Sequence, residues 1–489
     1  MRSKPAAIFM AFGTKGDIYP LAAIAAAFAC DQEQYQVFFI THSAHENLMV
    51  HLRANKVMYI PVSSPPVVSP LEHYGKMELS FSAHKREIIQ KHRYECTSII
   101  EDILGDSSVE GDVIAINFFA LEGWSLAELF QVRCIVVAPY VVPYSAPSSF
   151  ERQFRKEHPG LYNHLQEAPT DKVGWKDVIH WMWPLFTEEW GSWRSLDLNL
   201  SALPFTNLYF AKSKPVTNSE PNPLTELLGS LVFWLKDPVT GLPTFHERLP
   251  SPLLLYGFSK EVVEYPEISA SVSPGSSNKQ NKLCSIHLGL QFFIEFPAAE
   301  LPVFIGLSSI GSMGFLRNPH AFLQVLRTAL DISDSRFILF SAGYEPLEAA
   351  IESYAKEASS CPEQTQRSNG GVSFFGGRLF CFSGGSTAAA LLAGVPQVIC
   401  PFMLDQFYWA ERMYWLGVAP EPLKREHLVP DKDEDFYIKK AANMLVRALD
   451  YSQSSEVKTR ALQISNKLSN EDGVSEAVHL IKEELRSCR

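Results

Sequence analysis

The chain has 489 residues, too many for one ordinary hydrophobic core, so two domains are expected. With 46% hydrophobic and 20% charged residues it is neither disordered nor fibrous. A net charge of -11 without a clustered basic face excludes a nucleic-acid backbone as the main partner, because neutralising phosphates needs concentrated Lys and Arg.

Residues 1–12 carry two cations and then a short apolar run that leads into a glycine turn. The run is too short for the apolar region of a signal peptide with its cleavage site, and it predicts a first buried strand. No stretch reaches the roughly 18–20 uninterrupted apolar residues of a membrane-crossing helix. The eight cysteines lack Cys-x-x-Cys spacing and read as reduced core thiols, which points to a cytoplasmic chain.

Apolar runs at 6–12, 35–41, 57–61, 113–117 and 134–138 are rich in Val, Ile and Phe, as strands buried on both faces should be. Helical patterns at 18–30, 83–104 and 121–130 alternate with them, which predicts a parallel sheet with helices on both sides. Directly after the first strand come Gly13, Thr14, Lys15, Gly16 and Asp17, with Pro20 near the start of the next helix. The glycines permit a tight turn and leave N–H groups open, and Asp17 is held at the crevice mouth where ligands of open α/β sheets bind. The same position suits a carboxylate that merely caps the helix. A Gly-x-Gly-x-x-Gly fingerprint is absent, which removes the main support for a dehydrogenase.

Five of the nine tryptophans fall within 175–193. Such a density fits a pocket for a bulky apolar acceptor, with Trp181 and Trp183 as candidate contacts, or a surface that touches membrane. It equally fits helices packed over a sheet. From 268 to 282 the composition turns small and polar, as a linker requires. A second α/β pattern follows, with strands at 303–307, 336–341, 378–382 and 397–401, and helices at 321–330, 387–393, 407–416, 435–449 and 456–468. Serine- and glycine-rich loops are expected at 308–314 and 359–371. Asp405 and Gln406 stand just beyond a buried strand and Ser386 and Thr387 open a helix, two places where ligands collect in such folds.

These residues resemble the GT-B glycosyltransferases of the UDP-glycosyltransferase superfamily, and within it the sterol 3-β-glucosyltransferase-like branch in its plant form. The likeness is carried by 13–20, 304–313 and 385–412, more weakly by 471–474, and extends over nearly the whole chain. It implies two Rossmann-like domains facing each other across a cleft: 1–267 for the acceptor and 301–449 for the nucleotide sugar, with a linker region at 268–300 and C-terminal helices at 450–489. It further implies inverting transfer of a hexose, glucose foremost, from a UDP-sugar to a hydroxyl of a lipophilic acceptor such as a sterol. No cofactor or metal is implied, and contact with membrane would be peripheral. In that pattern Asp17 matches the general base, Asp405 and Gln406 match the pair that binds sugar hydroxyls, and Ser309, Gly385, Ser386 and Thr387 match the phosphate side.

The chain departs from the family at one motif. Between the strand at 378–382 and Gly385 the family pattern has a further helix and a strand ending in His-His-Gly-Gly, and here only Ser383 and Gly384 intervene. The loss removes a histidine donor to the diphosphate, and the strand at 378–382 is expected to fill the vacated place. A second loss is expected after Glu267, where the family continues with an apolar strand. Weakened donor binding follows, as does an alternative reading: a catalytically silent GT-B scaffold, from an isoform or a truncated gene, that binds lipid or a protein partner. A sugar-nucleotide epimerase on the same fold fits Asp405, Gln406 and the aromatic first half less well.

Overall fold

Ala6–Met10 (β1) is apolar throughout and every residue of it is buried, which requires a central parallel strand with both faces covered. The computed structural model describes residues 2–66, 78–105, 109–138, 146–169, 174–202, 253–259, 261–263, 270–271, 302–307, 314–333, 335–341, 344–359, 379–381, 384–403, 405–430, 432 and 434–486. Among these, β1 is joined by β2 (Gln36–His42), β3 (Val57–Val62), β4 (Val113–Asn117), β5 (Arg133–Ala138), β6 (Leu253–Tyr256) and β7 (Ala270–Ser271). They form one parallel sheet in the order β3-β2-β1-β4-β5-β6-β7.

The two-residue period of β1 divides its side chains between two cores. Ala6, Ile8 and Met10 face one side, packed with Cys96 and Ile100 of α3 (Glu78–Leu104) and Leu126 of α4 (Glu122–Phe130). Ala7 and Phe9 face the other, against α1 (Lys15–Asp31) and Leu52 of α2 (Leu48–Ala54). Register at the start of the strands is fixed by Arg2, whose guanidinium donates to both oxygens of Asp112 at 2.9 and 2.7 Å, while Ala6 N donates to Asp112 Oδ1 at 2.7 Å. Such a bidentate pair ties β1 to β4 before either strand begins.

The tryptophan-rich stretch belongs largely to the first of these cores. Helices α5 (Ser148–Glu157) and α6 (Pro159–Gln166) lead through helical turns at Trp175–Asp177, Val178–Met182 and Trp183–Phe186 into α7 (Glu188–Leu196). Trp175 and Trp193 are buried there, Trp175 lying parallel to Phe150 with centroids 6.3 Å apart. Arg194 is fully buried and donates to Glu128 Oε2 at 2.9 Å, Ser125 Oγ at 3.0 Å and Ser201 O at 2.8 Å, so its charge is paired and its donors are used.

The second half is a smaller parallel sheet of β8 (Val303–Gly306), β9 (Phe337–Phe340), β10 (Leu379–Cys381) and β11 (Gln397–Ile399), in the order β11-β10-β8-β9. Its helices are α8 (Pro319–Ile332), α9 (Glu345–Ser359), α10 (Gly384–Ala393), α11 (Gln406–Trp415), α12 (Asp435–Ser452) and α13 (Ser455–Leu468), followed by α14 (Gly473–Arg486). Helices α2, α5, α6, α9 and α14 were not legible in the apolar pattern, because their buried stripes are made of few large residues. Strand β10 lies between β8 and β11, and α10 starts three residues after it ends.

The halves exchange pieces. Phe258, Val262 and Val263, just after β6, are buried with Leu391, Trp409 and Ile464 of the second half, and Ser259 Oγ donates to Glu471 Oε1 at 2.7 Å. Conversely Ala477, Val478 and Ile481 of α14 complete the core over α1, held by Lys482 to Asp31 at 2.7 Å and Arg133 to Glu484 at 3.0 Å. The boundary expected from sequence is corrected accordingly: 258–263 serves the second core, α14 the first, and Ala270 and Ser271 extend the first sheet rather than open a linker. The rest of the expected linker, 272–300, and most of both expected loops, 308–313 and 360–371, lie outside the described residues.

Close approach of α4 to the sheet rests on Gly123, where a Cβ would stand 2.5 Å from Ile116 Cγ2 and 2.9 Å from Met10 Sδ. Gly123→Ala should therefore lower stability by about 1–3 kcal/mol through overpacking, despite alanine's better helix propensity. An unfolding midpoint in urea equal to that of the parent would contradict this packing.

Candidate active site

The chain must turn sharply where β1 ends, and the turn is glycine's to make: Gly13 has φ +103°. A Cβ there would meet Asp17 Oδ2 at 2.8 Å and Phe119 Cδ2 at 2.9 Å. The polar backbone of this turn is satisfied by side chains at the ends of β1's two neighbours. Asn117, last in β4, accepts from Phe12 N at 3.2 Å and donates to Phe12 O at 2.8 Å and to Asp17 O at 3.1 Å. His42, last in β2, accepts from Gly13 N at 3.2 Å, and His45 Nε2 lies 3.1 Å from Gly13 O. Asp17 Oδ2 accepts from Thr14 N at 2.7 Å and Thr14 Oγ1 at 2.8 Å. Asp17 is thus the helix cap that its position suggests, fixed in a rigid turn at the carboxyl end of the sheet.

Beneath the turn runs a buried polar chain. His42 Nδ1 is 3.1 Å from Ser64 Oγ, which is 2.7 Å from His92 Nδ1. His92 Nε2 then faces Glu122 Oε1 at 3.7 Å, and Arg93 Nε lies 3.8 Å from the same oxygen with its guanidinium 4.2 Å over the Trp190 ring. Burial, and next the neighbouring His92, push the His42 imidazole down to about 4. Burial also lowers His45, against the pull of its contact with Gly13. Burial pushes Glu122 up, but His92 and Arg93 outweigh it and hold that carboxyl below its ordinary range.

Asp405 and Gln406 stand at the start of α11. Gln406 Oε1 accepts from Phe402 N at 2.8 Å and Met403 N at 3.2 Å, which closes the turn after β11, and Trp409 Nε1 donates to Asp405 Oδ2 at 3.1 Å. Asp405 is pushed up to about 6, first by burial and also by the charge of Asp17, against the Trp409 hydrogen bond. The charge of Asp17 in the first half thus acts on Asp405 in the second. At the start of α10 Gly384 and Gly385 form the first helical turn, Ser386 is half-buried and Thr387 is buried, its carbonyl accepting from Gln397 Nε2 at 3.3 Å.

Ser309 lies outside the described residues, as does the side chain of Trp181. Trp183 meets Phe150 edge to face at 6.1 Å, and its buried indole Nε1 has no hydrogen-bond partner among the described residues. His42, His45, Ser64, His92, Asn117 and Glu122 were missed by sequence reasoning. For His42 and Asn117 the signal was the polar residue that ends an apolar strand, since those ends converge on one edge. Among the described residues no cluster of three or more His, Cys, Asp or Glu could hold a metal, and no helix is long and apolar enough to cross a membrane.

The fold is GT-B: its solved neighbours are glycosyltransferases of that architecture. The glycotransferase of kitacinnamycin superposes with a TM-score of 0.55 at 14% identity, covering 99% of this chain and 100% of that one. The UDP-glucose:anthocyanidin 3-O-glucosyltransferase, solved in complex with UDP, superposes at 0.53 and 14% identity over 100% of both. Within that class the chain is similar in sequence to sterol 3-β-glucosyltransferases. That of Arabidopsis thaliana is 22% identical over 490 residues, 95% of this chain and 66% of that protein. That of Debaryomyces hansenii is 24% identical over 500 residues, 98% of this chain but 27% of that protein. The likeness is thus shared by plant and fungal proteins, and this chain spans about two thirds of the first and just over a quarter of the second. No protein-family model matches the chain.

Because Asp405 binds its proton more tightly when folded than its ordinary value of 3.8 implies, its ionisation costs stability above about pH 6 and nothing below pH 3.8. Asp405→Asn keeps an acceptor for Trp409 and should unfold at a higher temperature than the parent near pH 8, with the difference vanishing near pH 4. An equal shift at both pH values, by calorimetry, would show that the carboxylate is not strained by its surroundings.

Proposed function

We propose that the protein is an inverting glycosyltransferase that moves a hexose, glucose by kinship, from a UDP-sugar to the hydroxyl of a lipophilic acceptor such as a sterol. The observation that carries the reading is the pair of carboxylates: Asp17 on the rigid turn of the first half and Asp405 at the helix start of the second, close enough for one charge to shift the other. Asp17 is the base that takes the proton of the acceptor hydroxyl as its oxygen attacks the anomeric carbon, while the bond from that carbon to the diphosphate oxygen breaks on the opposite face. Asp405 and Gln406 bind the sugar hydroxyls, one as a pure acceptor and the other with amide N–H donors to offer. The departing UDP is stabilised by the N-terminal turn of α10, with Gly385 and Ser386 nearest its backbone donors, and by Ser309. Residues 1–267 hold the acceptor, with Trp183 and Trp181 beside it, and 301–449 hold the donor.

The passage from β10 to α10 lacks the histidine that the family pattern places there, so donor binding is expected to be weakened. Calorimetry with millimolar UDP-glucose tests this half of the reading, and absence of heat together with absence of transfer leaves a silent scaffold. For the chemistry, Asp17→Ala should lower transfer to a sterol by about 100-fold or more with donor affinity retained. Full transfer by that variant would overturn the base assignment.

A further inference from the structure

We propose that His42 is a positioning residue for Asp17: held as the neutral Nδ1–H tautomer by a one-way chain of hydrogen bonds through Ser64 and His92, it fixes the Gly13 peptide and with it the carboxylate. The assignment of Asp17 as base is the reading it rests on. The direction of the chain follows from the only group in it whose role cannot change. Gly13 N–H can only donate, so His42 Nε2 must be the acceptor and carry no proton. Its one ring proton then sits on Nδ1 and points to Ser64 Oγ. That hydroxyl, having accepted, gives its own proton to His92 Nδ1, and His92 presents Nε2–H toward Glu122 and Cys96 Sγ. Each member is a donor on one side and an acceptor on the other, and the far end is a buried carboxylate that Arg93 also faces.

The next peptide of the turn, Gly13–Thr14, is held differently. Gly13 O can only accept, so His45 Nε2 is protonated, and its Nδ1 is buried with no partner among the described residues. Two neutral imidazoles thus hold the two successive peptides that meet at Gly13, His42 by the N–H of Phe12–Gly13 and His45 by the C=O of Gly13–Thr14. Since Gly13, at φ +103°, joins these two peptides and the N–H of the second, Thr14 N, donates to Asp17 Oδ2 at 2.7 Å, a shift at Gly13 is passed on to the carboxylate. The groups that set the charge of His42 come from every neighbouring element: His45 from the turn after β2, His92 of α3, Glu122 of α4, and Lys15 and Asp17 of α1, which act on His45. Protonating His42 would set two donors against each other at Gly13, so the grip fails on the acid side.

Labelling the full chain with 15N-histidine and recording long-range proton–nitrogen correlations tests the tautomers without any turnover. His42, identified by the signal missing from His42→Gln, should show a protonated Nδ1 and a bare Nε2, and should remain neutral well below the ordinary histidine value of 6.5. A protonated Nε2, or titration at 6.5, overturns the proposal. Kinetics supply the second arm. His42→Leu should reduce kcat for transfer by roughly 10–100-fold at unchanged UDP-glucose affinity, as a misplaced base does. His42→Gln, whose side-chain oxygen can accept from Gly13, should recover most of it. Equal kcat in His42→Leu and the parent overturns the positioning role while leaving Asp17 as base. Failure of the glycosyltransferase reading is separately visible as no transfer by the parent, with the tautomers still as stated.

Discussion

The candidate site depends on how one backbone turn is satisfied where β1 ends. A central strand of a parallel sheet leaves its last N–H and C=O groups in a crowded, half-dry crevice, where an unpaired one costs on the order of 1–3 kcal/mol. Here the neighbours in the sheet provide the partners: Asn117 from β4 and His42 from β2 reach the two sides of the turn, and His45 closes it. The same hydrogen bonds that pay for burying the turn hold Asp17 in place, so folding and function draw on one set of contacts. A buried polar network of this kind is worth having only when every member is satisfied, and from Gly13 to Glu122 the order of donors and acceptors is consistent.

The two ends of the cleft differ in how they treat charge. On the Asp17 side, the carboxylate receives two hydrogen bonds from Thr14 and sits at the positive end of α1. On the Asp405 side, burial and a like charge oppose ionisation, and the single indole donor of Trp409 does not compensate. A bound sugar would add hydroxyl donors to Asp405, so that group gains most from a ligand that donates. At the start of α10, Thr387 is buried and its neighbour Ser386 is half-buried.

Much of this was legible in the sequence, and what was not has a physical reason. Strands β1 to β5 could be read because a two-sided buried strand must be apolar at every position, and the Gly13 turn because left-handed backbone selects glycine. Asp17, Asp405 and Gln406 stand at strand or helix ends, where composition changes abruptly. Helix α14 could not be read the same way: its buried stripe is Ala477, Val478 and Ile481, a weak signal among charged residues, and its partner surface on α1 lies about 450 residues earlier in the chain. His42, His92 and Glu122 were missed because spacing in sequence says nothing of a chain that crosses three elements. Of the tryptophans, Trp175 and Trp193 pack in the core, and the buried indole N–H of Trp183 has no hydrogen-bond partner among the described residues.

The exchange of pieces between the halves also sets the order in which the molecule can be finished during synthesis. The face of the first sheet that carries α1 is completed by α14, which begins roughly 200 residues after β7 ends. At about 5–20 residues per second, that leaves the apolar ground for Ala477, Val478 and Ile481 uncovered for about 10–40 s after its own half has emerged. During that interval the nascent first half presents a greasy patch beside α1, a natural target for a holdase chaperone, and that face closes only when α14 has left the ribosome.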